Sequence, residues 1–218
     1  MSKPKYKAVI FDFDDTLVES RAQKWAQHIH IAKKFFDIDL TEEIIRKHWG
    51  KPIHVLAREI YQNKDSWENI HLILRGTRRN FPKKMYEKAL DTVEKILDSG
   101  IKVGILSAAT TLDVEDDLIR FDFPINRFTI IQGAEKTVVH KPDPDVFSPV
   151  FEELRKEGVE KNDIVYVGDS LDDFKGAKEA GIDFIAVTTG LYSQDDFKKN
   201  GAEVIITNIN ELLNKLND

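Results

Sequence analysis

The sequence predicts an α/β protein, a three-layer doubly wound parallel sheet interrupted by an α-helical insert. Three observations carry that expectation. Ala8-Val9-Ile10-Phe11 is an unbroken apolar run that stops at Asp12-Phe13-Asp14-Asp15-Thr16, as a strand buried on both faces would. From residue 91 onward, short apolar runs alternate with amphipathic segments, the pattern of parallel strands joined by crossover helices. Between residues 18 and 90 the periodicity is helical, with few strand-like runs.

Taken in order, residues 8–11 form the first strand. In the insert the apolar positions fall into four groups: Trp25, Ile29, Phe35 and Phe36; Ile44, Ile45 and Trp49; Val55, Leu56 and Ile60; Ile70, Leu72 and Leu74. Gly50-Lys51-Pro52 breaks the second from the third. Residues 92–98 read as a helix stopped by Ser99-Gly100. A strand at 101–106 ends at Ser107, a helix follows at 112–120, and a strand at 128–131 ends at Gln132-Gly133. A helix at 145–156 stops near Gly158, a strand at 164–167 runs into Gly168-Asp169, and a helix at 172–180 stops at Gly181. Strands at 184–187 and 204–206 and a helix at 209–216 complete the chain. The expected domains are a Rossmann-like core from 1–17 and 91–218 and a helical insert at 18–90, placed to cover the strand ends as a lid.

Composition narrows the functional classes. With 218 residues and 41% hydrophobic content, the chain suits one large domain, or one domain carrying an insert. Its net charge of -6 leaves no excess of Lys and Arg to release counterions, so nucleic acid is not an expected partner. There is no cysteine, which excludes disulfides, thiolate zinc sites and cysteine nucleophiles. No apolar run approaches the length of a signal peptide or a membrane span. The expectation is a soluble, cytoplasmic chain with no membrane partner, a monomer or weak dimer.

The chemistry-bearing residues sit at strand ends. Asp12 and Asp14 are two apart, which sets both side chains on one side of an extended segment. Carboxylates crowded at a buried strand end are costly unless a cation offsets them, and hard oxygen donors suit Mg²⁺. Ser107 follows a second strand, and Asp169 follows a later one with Asp172 and Asp173 close behind. Lys141 opens the stiff segment Lys141-Pro142-Asp143-Pro144-Asp145. Ligands of doubly wound sheets bind beyond the carboxyl ends of the strands, where these positions meet. Carboxylates with a metal there suggest phosphate chemistry.

Four segments now stand in order: Phe11-Asp12-Phe13-Asp14-Asp15-Thr16-Leu17, Ile105-Leu106-Ser107, Lys141-Pro142-Asp143-Pro144, and Val167-Gly168-Asp169-Ser170-Leu171-Asp172-Asp173. In these the chain resembles the haloacid dehalogenase superfamily, in its phosphatase type with a helical cap, similar to phosphoglycolate phosphatases. The resemblance implies that Asp12 is a nucleophile forming an aspartyl-phosphate. Asp14 would protonate the leaving oxygen and then activate water, with its backbone carbonyl on Mg²⁺. Asp169 would complete the metal site. Asp173 matches the second acid of the last motif, either as a ligand through water or as the holder of Lys141. Lys141 would neutralise charge beside Asp12 and the phosphoryl group. Ser107 and the Ala108 N–H would bind phosphoryl oxygens. Three departures stand out: Asp15 where the family often has Gly, Ala108-Ala109 where Asn or a small polar residue is common, and Ala89-Leu90-Asp91 in place of a Pro-Gly.

Plainer roles compete for some of these residues. Ser107 is also a candidate cap of the next helix. Asp172 and Asp173 both suit a first helical turn, with spacing favouring Asp173. Thr16 has no evident chemical role. His28, His30, His48, His54 and His71 lack metal-ligand spacing and read as surface or packing residues. Arg75, Arg78, Arg79, Lys83 and Lys84 read as a solvated basic face. Trp49 and Lys51, with His54, flank the Gly50 break and are the candidates for substrate discrimination.

The implied function is Mg²⁺-dependent hydrolysis of a small phosphorylated metabolite. A phosphomutase or pyrophosphatase of the same superfamily shares Asp12 and Asp14. A phosphonate hydrolase would need a Schiff-base lysine, for which Lys33, Lys34 and Lys51 are available but unmarked. A dehalogenase would need neither an acid at Asp14 nor a metal. A non-catalytic phosphate sensor would not need the full acid set.

Overall fold

The computed structural model describes residues 5–51 and 53–216, so Pro52 of the expected break lies outside the described residues. The chain runs β1 (Ala8–Phe11), β2 (Val18–Glu19), α1 (Arg21–Phe36), α2 (Glu42–His48), α3 (Ile53–Ile60), α4 (Trp67–Thr77) and β3 (Lys84–Met85). It continues through α5 (Ala89–Asp98), β4 (Lys102–Leu106), α6 (Thr111–Arg120), β5 (Ile130–Gln132), α7 (Ser148–Lys156) and β6 (Ile164–Gly168). Then come α8 (Leu171–Ala180), β7 (Asp183–Val187), α9 (Gln194–Asn200), β8 (Val204–Ile206) and α10 (Leu212–Lys215). Six strands form one parallel sheet in the order β5-β4-β1-β6-β7-β8, and β2 and β3 pair separately. The order reverses direction between β1 and β6, the switch point at which doubly wound sheets bind ligands.

The pleat explains why β1 reads as continuous apolar sequence. All four of its residues are fully buried. Val9 and Phe11 share one face with Val103, Ile105, Val165 and Val167, packed with Val93 and Ile96 of α5, Leu118 of α6 and Leu212 of α10. Ala8 and Ile10 share the other face with Ile164 and Tyr166, packed with Leu154 of α7 and Ala177 of α8. Burying each larger side chain of this strand contributes about 1.5–3 kcal/mol, so both helix layers depend on it.

The chain divides into two compact units, with breaks between Val18 and Glu19 and between Lys84 and Met85. The sequence reading sets the second boundary at 90/91. The structure instead counts Met85 onward with the sheet, and Ala89 is fully buried in the first turn of α5. Other elements also depart from expectation. The segment expected as a helix at 145–156 opens with a 3₁₀ turn, Pro144–Phe147, before α7. The closing helix is a 3₁₀ turn, Ile209–Glu211, followed by the four residues of α10. Helix α9 was not anticipated, since it buries one apolar residue, Phe197, too few to show a period. Its start is marked instead by a reciprocal cap between Ser193 and Asp196.

Glu19–Lys84 contains α1 to α4. Trp25, His28, Ile31 and Ala32 line the buried side of α1. Gln27 donates from Nε2 to the Leu74 carbonyl and to Thr77 Oγ1, tying α1 to α4. Thr41 and Ser66 cap α2 and α4 through their side chains. Three members of the expected apolar groups do not face inward: Leu72 is 67% exposed, Phe35 45% and Ile44 37%. The buried positions of α4 are Ile70 and Thr77, one helical stripe that leaves Leu72 on the opposite side.

Candidate active site

Register brings three motif segments to one level. Phe11 pairs with Ile105 on one side and Val167 on the other. The chain therefore leaves the sheet together at Asp12, at Leu106-Ser107 and at Gly168-Asp169. The Asp12 backbone N–H donates to the Val167 carbonyl at 2.8 Å, which fixes Asp12 between the two neighbouring strands.

Lys141 enters from the loop that precedes α7. Its Nζ donates to Asp12 Oδ1 at 2.7 Å, to Asp173 Oδ1 at 2.6 Å and to the Tyr166 hydroxyl at 3.1 Å. The three side chains holding it are buried. Asp173 is further fixed by Ser170, whose backbone N–H and hydroxyl both donate to Oδ2 at the start of α8. Gly168 gives this carboxylate room, since a Cβ there would lie 2.7 Å from its Cγ. Asp172 is only half-buried and stands outside this network.

The electrostatics are compatible with a bound cation. Among the described residues, Asp12, Asp169 and Asp173 each present a carboxylate oxygen within 4.8 Å of the others. Burial pushes the Asp12 carboxyl up to about 7, with Lys141 opposing the rise and Asp173 and Asp14 adding to it. Burial, and then the neighbouring Asp12, Asp173 and Asp15, hold Asp169 well above the ordinary carboxylate range. Burial also works against the Lys141 ammonium, but Asp12 and Asp173 outweigh it and keep the lysine charged well above its usual range. One ammonium thus faces three clustered carboxylates. The excess negative charge and the all-oxygen donor set fit a hard divalent cation such as Mg²⁺.

The remaining expected residues are arranged around this centre. Asp14 is half-buried, bridges to Val18 through its backbone, and lies close enough to Asp12 to influence its charge. Ser107 is buried, and its Oγ accepts from the Ala109 N–H at 3.1 Å, with Ala108 exposed between them. Ser107 does not cap α6: Thr110 does, accepting from the Asp113 N–H. Asp15 has φ +59°, which explains why glycine suits that position and why Asp, tolerant of left-handed backbone, can replace it.

Two site residues, Tyr166 and Gly190, escaped the sequence reading, and Thr16, expected to have no chemical role, joins them. Thr16, fully buried, donates to Asp169 Oδ1 at 3.4 Å. Tyr166 contacts Lys141 and Asp173; its signal was a lone hydroxyl within Ile-Val-Tyr-Val-Gly. Gly190, beyond β7, packs against Asp169, and nothing nearby in sequence marked it.

Trp49 and Lys51 belong to the other unit. Trp49 packs edge-on to Trp25 with ring centroids 5.6 Å apart, and the Arg46 guanidinium lies 5.4 Å from the Trp25 ring. Lys51 is exposed with its Nζ 3.2 Å from His48 Nδ1. His28 is a packing residue, buried with Nδ1 2.7 Å from the Tyr61 hydroxyl.

Residues 9–187 match the family model described as haloacid dehalogenase-like hydrolase. A protein from Caldanaerobacter subterraneus subsp. tengcongensis, provisionally named pyrophosphatase PpaX, is 26% identical over 96% of this chain and 94% of its own length. A phosphoglycolate phosphatase from Yersinia pseudotuberculosis is 25% identical over 96% of this chain and 94% of its own. The crystal structure of a provisionally assigned haloacid dehalogenase-like hydrolase from Bacteroides fragilis superposes with a TM-score of 0.82 at 24% identity, covering 95% of this chain and all of that one.

Proposed function

The chain belongs to the haloacid dehalogenase-like hydrolases, and from that premise we propose that it hydrolyses phosphomonoesters of small soluble metabolites, with Asp12 as nucleophile. The observation that carries this reading is the Lys141 ammonium shared between Asp12 and Asp173 beside a three-carboxylate cluster. A phosphoryl group approaches carboxylates only where positive charge is already in place.

In this reading an Asp12 carboxylate oxygen attacks phosphorus and forms the P–O bond of an aspartyl-phosphate as the ester oxygen departs. Asp14 gives that oxygen its proton, then takes one from the water that cleaves the acyl phosphate and regenerates Asp12. Lys141 holds Asp12 in line and offsets charge on the transferring group. Ser107 and the Ala108 N–H bind phosphoryl oxygens. Mg²⁺, held by Asp12, Asp169 and the Asp14 carbonyl, would supply further charge neutralisation. Lys141 and the two Ser170 donors take three acceptor directions of Asp173, and the Tyr166 hydroxyl faces it at 3.0 Å, which favours its role as holder of Lys141. Trp49 and Lys51 of the helical unit are the residues we propose to set substrate discrimination.

No described helix is long and apolar enough to cross a membrane; a cytoplasmic location and a monomer or weak dimer are part of the proposal. The relatives named for pyrophosphate and phosphoglycolate both point to substrates with a second anionic group beside the phosphate. A panel of phosphorylated metabolites, pyrophosphate included, assayed with Mg²⁺ and after exhaustive chelation, tests the reading. Metal-dependent release of phosphate from monoesters supports it. Full turnover after chelation rejects the metal, and release from pyrophosphate alone replaces the substrate class.

A further inference from the structure

Tyr166 is a fully buried phenol in the middle of the site's central strands. A hydroxyl there is costly unless bonded, and this one meets three groups. It lies 3.1 Å from Lys141 Nζ, 3.0 Å from Asp173 Oδ1 and 3.2 Å from the Leu106 carbonyl. Phe147 packs edge-on to the ring, with centroids 5.0 Å apart, and fixes its direction. The hydroxyl therefore joins three motif segments: the end of β4 directly before Ser107, the Lys141 loop, and the first turn of α8.

The donor count gives this junction its meaning. An ammonium has three N–H groups, and Lys141 has three acceptors: Asp12 Oδ1, Asp173 Oδ1 and the Tyr166 oxygen. We propose that Tyr166 is the positioning residue for Lys141: its oxygen takes one ammonium N–H and directs the other two onto Asp12 and Asp173. The phenol's own proton is left for Asp173 Oδ1 or the Leu106 carbonyl, both acceptors. Burial and the charge of Asp173 keep the phenol protonated, so it remains a neutral hydrogen-bonding group rather than a rival anion. Without it the ammonium loses one of its three fixed directions and shifts from its place between the two carboxylates, so its aim at a phosphoryl group on Asp12 loosens.

The proposal rests on the reading that Lys141 serves phosphoryl transfer, and two independent readouts separate the two. Tyr166→Phe keeps the ring and its contact with Phe147 while removing the hydroxyl. Losing one charge-assisted hydrogen bond that orients the transition state should lower kcat about tenfold with KM nearly unchanged. A crystal structure of the variant should show Lys141 Nζ displaced from its bridging place between Asp12 and Asp173. A residue needed only for packing would lower Tm and leave kcat intact at temperatures well below it. Retained kcat, or an unmoved Nζ, overturns the positioning role. If the Phe variant does not fold, Tyr166→Met must show the same kcat loss. Should the native protein hydrolyse no phosphomonoester, the functional reading fails, and the position of Nζ alone decides this proposal.

Discussion

Gly190 lies so close to the carboxyl group of Asp169 that a Cβ on it would overlap Oδ2. Residue 190 must therefore be glycine for Asp169 to keep its place, and the reason is space rather than backbone conformation. Gly190→Ala should displace Asp169 and weaken Mg²⁺ binding by about 10–100-fold, the usual cost of disturbing a metal ligand's support. Calorimetric titration of Mg²⁺ into native and variant protein measures this directly. Equal affinities would remove Asp169 from the metal site.

Asp12→Asn keeps the shape of the side chain but removes the attacking anion. Turnover should fall by several orders of magnitude. Metal-free protein should become more stable, because Asp12 is a buried carboxyl whose charge the fold disfavours. A thermal melt without Mg²⁺ should show a higher Tm for the variant, and added Mg²⁺ should narrow the gap by stabilising the native chain. Near-native turnover would end the aspartyl-phosphate mechanism.

Asp14 and Lys141 should differ in what they are sensitive to. Asp14→Ala removes the proton donor, so substrates with poor leaving groups should suffer far more than an activated aryl phosphate. Lys141→Ala acts on the phosphoryl group common to all substrates and should slow them alike. A plot of rate against leaving-group pKa for each variant distinguishes the two, and equal slopes would take the acid role away from Asp14.

His28 should make the helical unit acid-sensitive. Burial, with a smaller contribution from Lys24, lowers its pKa from 6.5 to about 3. The Tyr61 phenol, which burial holds in its protonated form, lies 2.7 Å from Nδ1. Between those two pKa values the unfolded chain binds a proton that the folded chain refuses, so stability falls as pH drops. The slope is at most about 1.4 kcal/mol per pH unit. His28→Gln, which cannot titrate, should lack it. Urea midpoints measured from pH 7 to pH 4 should converge or cross for native and variant; parallel curves would show that His28 is not the sensor.

Much of the fold was legible because β1, β4 and β6 are short apolar runs punctuated at their carboxyl ends, and the crossover helices end at glycines such as Gly181. Asp12, Ser107, Lys141 and Asp169 could be picked out from their places at strand ends and in the loops. The choice of Asp173 over Asp172 rested on spacing alone, and the structure brings Asp173, not Asp172, onto Lys141. The misread stretches are α9, whose single buried phenylalanine carries little hydrophobic signal, and the 3₁₀ turns before α7 and α10, which bury apolar residues but are too short for a period to set them apart from an α-helix.

The sequence by itself determined the strand–helix alternation and the kinds of groups at the strand ends, because hydrophobic period and chain punctuation are local properties. Only the tertiary structure decided which distant residues touch. Tyr166 meets Lys141 across 25 positions, Thr16 meets Asp169 across 153, and Gly190 makes room for a carboxylate 21 residues before it. Those meetings follow from strand order and register in the parallel sheet, where β1 is flanked by β4 and β6 rather than by its neighbours in sequence. Parallel pairing requires long crossovers, so the groups that share a charge or a hydrogen bond here are far apart along the chain, and no local pattern records their contact.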